Sequence, residues 1–131
     1  MREVIAAIQR ATSPDFPIVV RLSADELVPG GLTVPDTAAI ARALEDTGVA
    51  AVDVSSSNYA SFDQGYLIPP MAQPDGVVLP YAKAIKEATS LPVMGVGKIR
   101  TPELAARTLA AGGVDFIALG RTLLADPDWP R

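Results

Sequence analysis

The sequence predicts an α/β fold of four parallel strands with a helix before or between them, which is half of an eight-stranded (βα)8 barrel. Three observations carry this. Apolar strand-like runs alternate with helical periodicity four times within 131 residues, the pattern that gives parallel pairing through right-handed crossovers. Residues 47–55, Thr-Gly-Val-Ala-Ala-Val-Asp-Val-Ser, echo residues 111–120, Ala-Gly-Gly-Val-Asp-Phe-Ile-Ala-Leu-Gly; each is a glycine-ended helix running into a strand that stops on a small polar residue or glycine. A complete barrel of this kind takes about 250 residues, so four units are half of one. The chain is too short for two ordinary domains, and residues 1–131 are read as a single half-barrel.

The elements follow in order. Residues 3–11 form a helix with Val4, Ile5 and Ile8 on one face, entered without a cap. Ser13-Pro14-Asp15-Phe16-Pro17 turns the chain into Ile18-Val19-Val20-Arg21-Leu22-Ser23, a β-branched, continuously apolar run that reads as a strand buried on both faces. A loop with Pro29-Gly30-Gly31 leads to Thr33, which caps a helix reaching Thr47, stopped by Gly48, with Ile40, Ala43 and Leu44 as its apolar stripe. Residues 49–55 are the second strand. The stretch 59–78 is long, rich in Pro and Gly, and holds most of the aromatics; loops of that length are usually functional or stabilised by a partner. Then come a helix (80–89), a strand (91–96), a helix opened by Thr101 and Pro102 (101–111), a strand (114–119), and a short helical turn from Thr122 that stops at Asp126-Pro127-Asp128-Trp129-Pro130.

Composition narrows the function. Hydrophobic residues make up 49% and charged residues 20%, so a folded body is expected. A net charge of −4 offers no broad attraction to nucleic acid or an anionic membrane, and any anion site must be local. Cysteine and histidine are both absent. That removes disulfides, thiolate nucleophiles and cysteine-bound metals, and with them the commonest general base. No apolar run approaches the ~20 residues of a membrane span. Cytoplasm is the default compartment.

Two strand ends carry the chemistry: Gly97-Lys98 and Gly120-Arg121, one βα unit apart. Singly, a glycine ends a strand and a base decorates a surface. Together they offer open backbone and two cations at one end of the sheet, where (βα)8 barrels bind phosphate after their last two strands. Glycine lets backbone N–H groups approach the anion, and Arg121 adds a guanidinium fork. Arg21 is the one charge in its strand. It either pairs with a carboxylate such as Asp53 or stabilises negative charge on a bound ring, with Ser55 adding a hydroxyl one strand on. Asp53 receives no chemistry. Tyr59, Tyr66 and Met71, in the long loop, more often cover a core than bind a ligand. No residue is assigned as catalytic and none as a metal ligand.

Val20-Arg21-Leu22-Ser23, Gly30-Gly31-Leu32, Val52-Asp53-Val54-Ser55-Ser56, Pro92-Val93 to Gly97, and Ala118-Leu119-Gly120-Arg121 through Leu124-Ala125-Asp126-Pro127 resemble the old yellow enzyme family, FMN-dependent NAD(P)H:flavin oxidoreductases on a (βα)8 barrel. Ser57-Asn58-Tyr59 followed by Ile68-Pro69-Pro70-Met71 is most similar to its 2,4-dienoyl-CoA reductase and trimethylamine dehydrogenase branch. The resemblance implies strands five to eight, the C-terminal half of the barrel. It puts Arg21 at the N1/O2 side of the flavin, Ser55 near the flavin, and Gly97, Lys98, Gly120 and Arg121 around the FMN phosphate, with backbone rather than side chain mattering at Lys98. NAD(P)H would be the reductant and an activated alkene or related compound the substrate. The resemblance implies that the first four strands would bring the remaining flavin contacts, the substrate-binding His/Asn or His/His pair and the tyrosine proton donor, so this chain alone is expected to be inactive. The branch's iron–sulfur cysteines follow the Asp-Pro motif, and their absence fits a chain ending at Arg131.

As a fragment, the half-barrel would expose edge strands near Ile18 and Phe116, and it is expected to pair with the missing N-terminal half or with itself. Two other classes fit part of the pattern: half of an aldolase- or isomerase-type phosphate-binding barrel, in which Arg21 and the Asp-Pro tail have no role, and a non-enzymatic half-barrel scaffold.

Overall fold

A computed structural model describes residues 1–64 and 68–131. Along the chain these form α1 (Arg2–Ala11), β1 (Val19–Ser23), α2 (Val34–Arg42), β2 (Ala51–Ser55), a 3-10 turn (Tyr59–Gln64), α3 (Leu79–Ala88), β3 (Val93–Gly95), α4 (Pro102–Ala110), β4 (Phe116–Ile117) and α5 (Arg121–Ala125). The strands make one parallel sheet in the order β1-β2-β3-β4. Each strand lies beside its predecessor, with no reversal of order. That is a stretch of barrel wall, not a doubly wound sheet with a switch point.

Local chemistry explains the helices. At the start of α2 the Asp36 carboxylate accepts the Thr33 amide (3.0 Å) and hydroxyl (2.5 Å), tying the first turn to its cap. The Thr101 hydroxyl accepts the Leu104 amide at 3.3 Å and Pro102 opens α4, where a missing N–H costs nothing.

Alternation along the strands sorts the residues into two faces. Val52, Val54 and Val93 are fully buried and pack with Leu22, Ala38, Ala41, Ala82 and Ile85 into a core between the sheet and its helices. Each of the Val, Leu and Ile side chains among them contributes about 1.5–3 kcal/mol by leaving water. The opposite face carries a row in register across all four strands: Arg21, Asp53, Met94 and Phe116. It has no second layer among the described residues, and Val19 and Phe116 are 46% and 51% exposed.

Several elements differ from their expected form. Helix α2 ends at Arg42 rather than Thr47. Beyond it the bonds shorten to three-residue spacing (Leu44 to Ala41, Glu45 to Arg42, Thr47 to Leu44), winding the chain into turns before Gly48 takes φ +76°. Its buried side is Thr37, Ala38, Ala41 and Leu44; Ala43 faces solvent, and its carbonyl accepts Arg2 Nε from α1 at 3.1 Å. In α1, Ile5 enters the core while Val4 stays exposed. Strand β1 is buried on one face only, because none of the described residues covers the other. Strands β3 and β4 are shorter than the apolar runs that contain them, and beyond β3 the backbone takes positive φ at Gly97 and Lys98.

Candidate functional site: a cleft at the ends of β3 and β4

A cleft of about 630 Å³ opens where the chain leaves β3 and β4. Gly97, Lys98, Gly120 and Arg121 all line it, so the two glycine–base pairs do meet. Gly97 has φ +114°, and a Cβ there would lie 2.6 Å from the Val78 Cβ. Only glycine lets β3 turn this close to the segment that starts α3. Gly120 differs: a Cβ would meet nothing within 4 Å, so the space beside it is open cleft. Arg121 begins α5, whose first amides have no carbonyl a turn earlier to bond. Its guanidinium is exposed and reaches the Pro69 carbonyl at 3.5 Å.

Lys98 lines the cleft by position, but its ammonium is already engaged. Nζ donates to the carbonyls of Pro70 (3.1 Å), Met71 (2.8 Å) and Gln73, with an Asp75 oxygen at 3.8 Å, and the side chain is 8% exposed. What Lys98 turns to the cleft is therefore backbone.

Arg21 and Ser55 stand outside the cleft, on the open face, Arg21 at the middle of β1 and Ser55 at the C-terminal end of β2. Arg21 is ion-paired with Asp53, and the Ser55 hydroxyl donates to the Leu22 carbonyl at 3.2 Å. The carboxylate pair expected for Arg21 is formed, and it leaves the guanidinium more than half exposed.

The cleft also uses residues that the strand-end motifs did not single out. Arg100 lines it and pairs with Asp75 at 2.9 Å. Trp129 closes the far wall, its indole N–H donating to the Arg100 carbonyl at 3.1 Å, and the Thr122 hydroxyl donates to the Ile99 carbonyl at 2.7 Å. Asp126 is a lining residue, yet one oxygen of its carboxylate accepts the Asp128 amide (3.0 Å). The available signal was a tryptophan placed three residues after Asp126, which reads as a stop but folds back as a wall. From the long loop, Pro69 and Met71 line the cleft. Met71 is 91% exposed and Tyr59 fully open, so neither covers a core. Asn58 is used locally, its side-chain oxygen accepting the Ala60 amide at 2.8 Å. Tyr66 lies outside the described residues.

Comparison with known proteins gives a consistent picture. A model of the NADH:flavin oxidoreductase / NADH oxidase family matches residues 1–131. An NADH oxidase of Thermoanaerobacter brockii is 42% identical over 129 residues, covering 98% of this chain and 20% of that protein. An NADPH dehydrogenase of Geobacillus thermodenitrificans is 36% identical over 131 residues, covering 98% and 35%. Among solved structures, 6-hydroxypseudooxynicotine amine oxidase from Pseudomonas geniculata superposes with a TM-score of 0.75 at 24% identity over 98% of this chain and 19% of that one, a likeness of fold. The chain thus spans between a fifth and about a third of the relatives it matches.

Proposed function

The chain belongs to the NADH:flavin oxidoreductase / NADH oxidase family, the old yellow enzyme group, and we propose from that premise that its cleft holds the phosphate end of FMN within an NAD(P)H-dependent flavin oxidoreductase. One observation carries the reading: Gly97-Lys98 and Gly120-Arg121, from two adjacent strand ends, line a single cleft. The residues suit an anion. Backbone at Gly97 and Lys98 lines the cleft, Gly120 leaves open space where a Cβ would meet nothing, and among the described residues the Arg121 fork makes a 3.5 Å contact that a phosphate outcompetes. Arg100 adds a second guanidinium at the rim.

Bound FMN supplies the hydride chemistry that no side chain of this chain offers. Arg21, paired with Asp53, lies on the open face, where it would balance negative charge on a flavin ring, and Ser55 lies on the same face two residues beyond Asp53, at the end of β2. The substrate-binding groups and proton donor belong, on this reading, to the other strands of the barrel. The 131 residues alone bind cofactor and do not turn over substrate. The open face and the two edge strands are where the remaining barrel strands, or another copy of this chain, would pack.

Calorimetric titration tests the assignment with FMN, riboflavin and inorganic phosphate, with and without a separately expressed N-terminal half-barrel from a full-length relative. FMN is expected to bind at least tenfold more tightly than riboflavin, and Arg121→Gln to remove most of that difference. Equal affinity for FMN and riboflavin, or no FMN binding even with the other half supplied, would overturn it.

A further inference from the structure

Lys98 and Arg121 hold equivalent places after adjacent strands but do different work. The Lys98 side chain, more than nine-tenths buried, runs into a ring of main-chain carbonyls at Pro70, Met71 and Gln73, with the Asp75 carboxylate 3.8 Å away. An ammonium has three N–H donors, and three carbonyls receive them. The Lys98 carbonyl in turn accepts the Gly76 amide at 3.1 Å, so one residue ties down the loop 70–76 from both its side chain and its backbone. Lys98 itself sits at φ +53°, a conformation that a non-glycine residue holds only when its surroundings compensate. Pro69 and Met71, at the start of this loop, are cleft walls.

We infer that residues 70–75 form a cation seat specific for a primary ammonium, and that the Lys98 side chain, by filling it, positions the wall of the anion cleft without itself touching the anion. The seat is complementary in number and kind: neutral carbonyl dipoles converge on one charge, and the nearby carboxylate balances it. Removing the ammonium leaves those carbonyls facing one another with no donor, and the loop moves away from the cleft to reach water. The link to the anion rests on the phosphate reading above; the seat itself does not.

The experiment separates the two. In Lys98→Gly, the left-handed backbone is accommodated and only the ammonium arm is lost, so the fold is retained. Hydrogen exchange at the Gly76 amide and chymotryptic cutting after Met71 are followed without ligand, first with no added cation and then with n-butylammonium or tetramethylammonium chloride. Exchange is expected to accelerate at least tenfold in Lys98→Gly and to slow again with n-butylammonium but not with tetramethylammonium, which has no N–H. Lys98→Arg should hold the loop less well than lysine and better than glycine. Affinity for FMN is then measured for the same proteins. A loss of tenfold or more in Lys98→Gly, restored by n-butylammonium, supports the positioning role. Unchanged exchange, or rescue by both cations alike, overturns the seat. A faster loop with undiminished FMN affinity overturns the positioning role. If wild type binds no FMN, the phosphate reading fails while the exchange data still decide the seat.

Discussion

Arg21 and Asp53 face each other across the β1–β2 register and are ion-paired on the open side of the sheet, Nη1 to Oδ2. The pair is unequal. The Asp53 side chain is only 18% exposed and its other oxygen, Oδ1, is buried with no hydrogen-bond partner among the described residues, whereas Arg21 extends into solvent. The carboxylate depends on the guanidinium more than the reverse.

Arg21→Met is therefore expected to destabilise the chain by about 1–3 kcal/mol, because it leaves a partly buried carboxylate with neither oxygen neutralised. Asp53→Asn should cost less, about 1 kcal/mol or under, since a largely exposed arginine keeps its water. Urea unfolding of both variants at pH 7 decides the order. A larger loss in Asp53→Asn would mean that Asp53 serves something other than Arg21.

Gly97 and Gly120 occupy like positions after β3 and β4, yet the structure separates their roles. Gly97→Ala combines a positive φ with a 2.6 Å clash against Val78, and it should cost about 2–4 kcal/mol of stability. Gly120→Ala meets nothing and should alter stability by no more than about 0.5 kcal/mol, while, on the proposed FMN reading, the added methyl is expected to lower FMN affinity by occupying the cleft. Thermal unfolding read beside FMN titration distinguishes them. A stable Gly97→Ala, or a Gly120→Ala with full affinity, breaks the distinction.

Much of this was legible in the sequence because it depends on local rules. Alternating apolar runs gave four parallel strands, and Gly97-Lys98 with Gly120-Arg121 marked a cleft that does bring them together. What periodicity could not supply was which face of a strand finds a partner. Continuous apolar character in residues 18–22 implied two covered faces, but the described chain covers one. Nor can a motif tell how a side chain is spent: Lys98 and Arg121 look alike as glycine–base pairs, and only the loop's return past β3 shows that the lysine is captured by carbonyls. Arg100 lies just two residues beyond Lys98, but Trp129 reaches the cleft from the far end of the chain, folding back onto the Arg100 carbonyl.

Two carboxylates give the fold an acid limit. The Glu45 side chain accepts the Ser90 amide (2.7 Å) and the Thr89 hydroxyl (2.8 Å), which hold its pKa below the usual range; hydrogen bonds from the Thr33 hydroxyl and amide do the same for Asp36. A lowered folded-state pKa means stability that is complete above the unfolded value, about 4 for these groups, and is lost as pH falls through the folded value. Denaturant midpoints should thus be flat from pH 7 to about 5 and decline below about pH 4. Glu45→Gln should be less stable at pH 7 and show a shallower acid decline. An unchanged slope would remove Glu45 as a contributor.

The open face makes the last prediction. Val19 and Phe116 are large, half-exposed and on the side of the sheet opposite the helices, and β1 and β4 each end the sheet with an unpaired edge. Exposed apolar faces and free edges favour association. In sedimentation velocity the wild-type chain is expected to form dimers or larger species at tens of micromolar, and a Val19→Lys/Phe116→Lys double variant to move towards monomer without losing helicity, since neither residue belongs to the buried core. Adding the other half-barrel should compete with self-association if both use this face. A wild type that sediments as a compact monomer across the concentration range would show that the face is stable in water, and the need for a partner would fall with it.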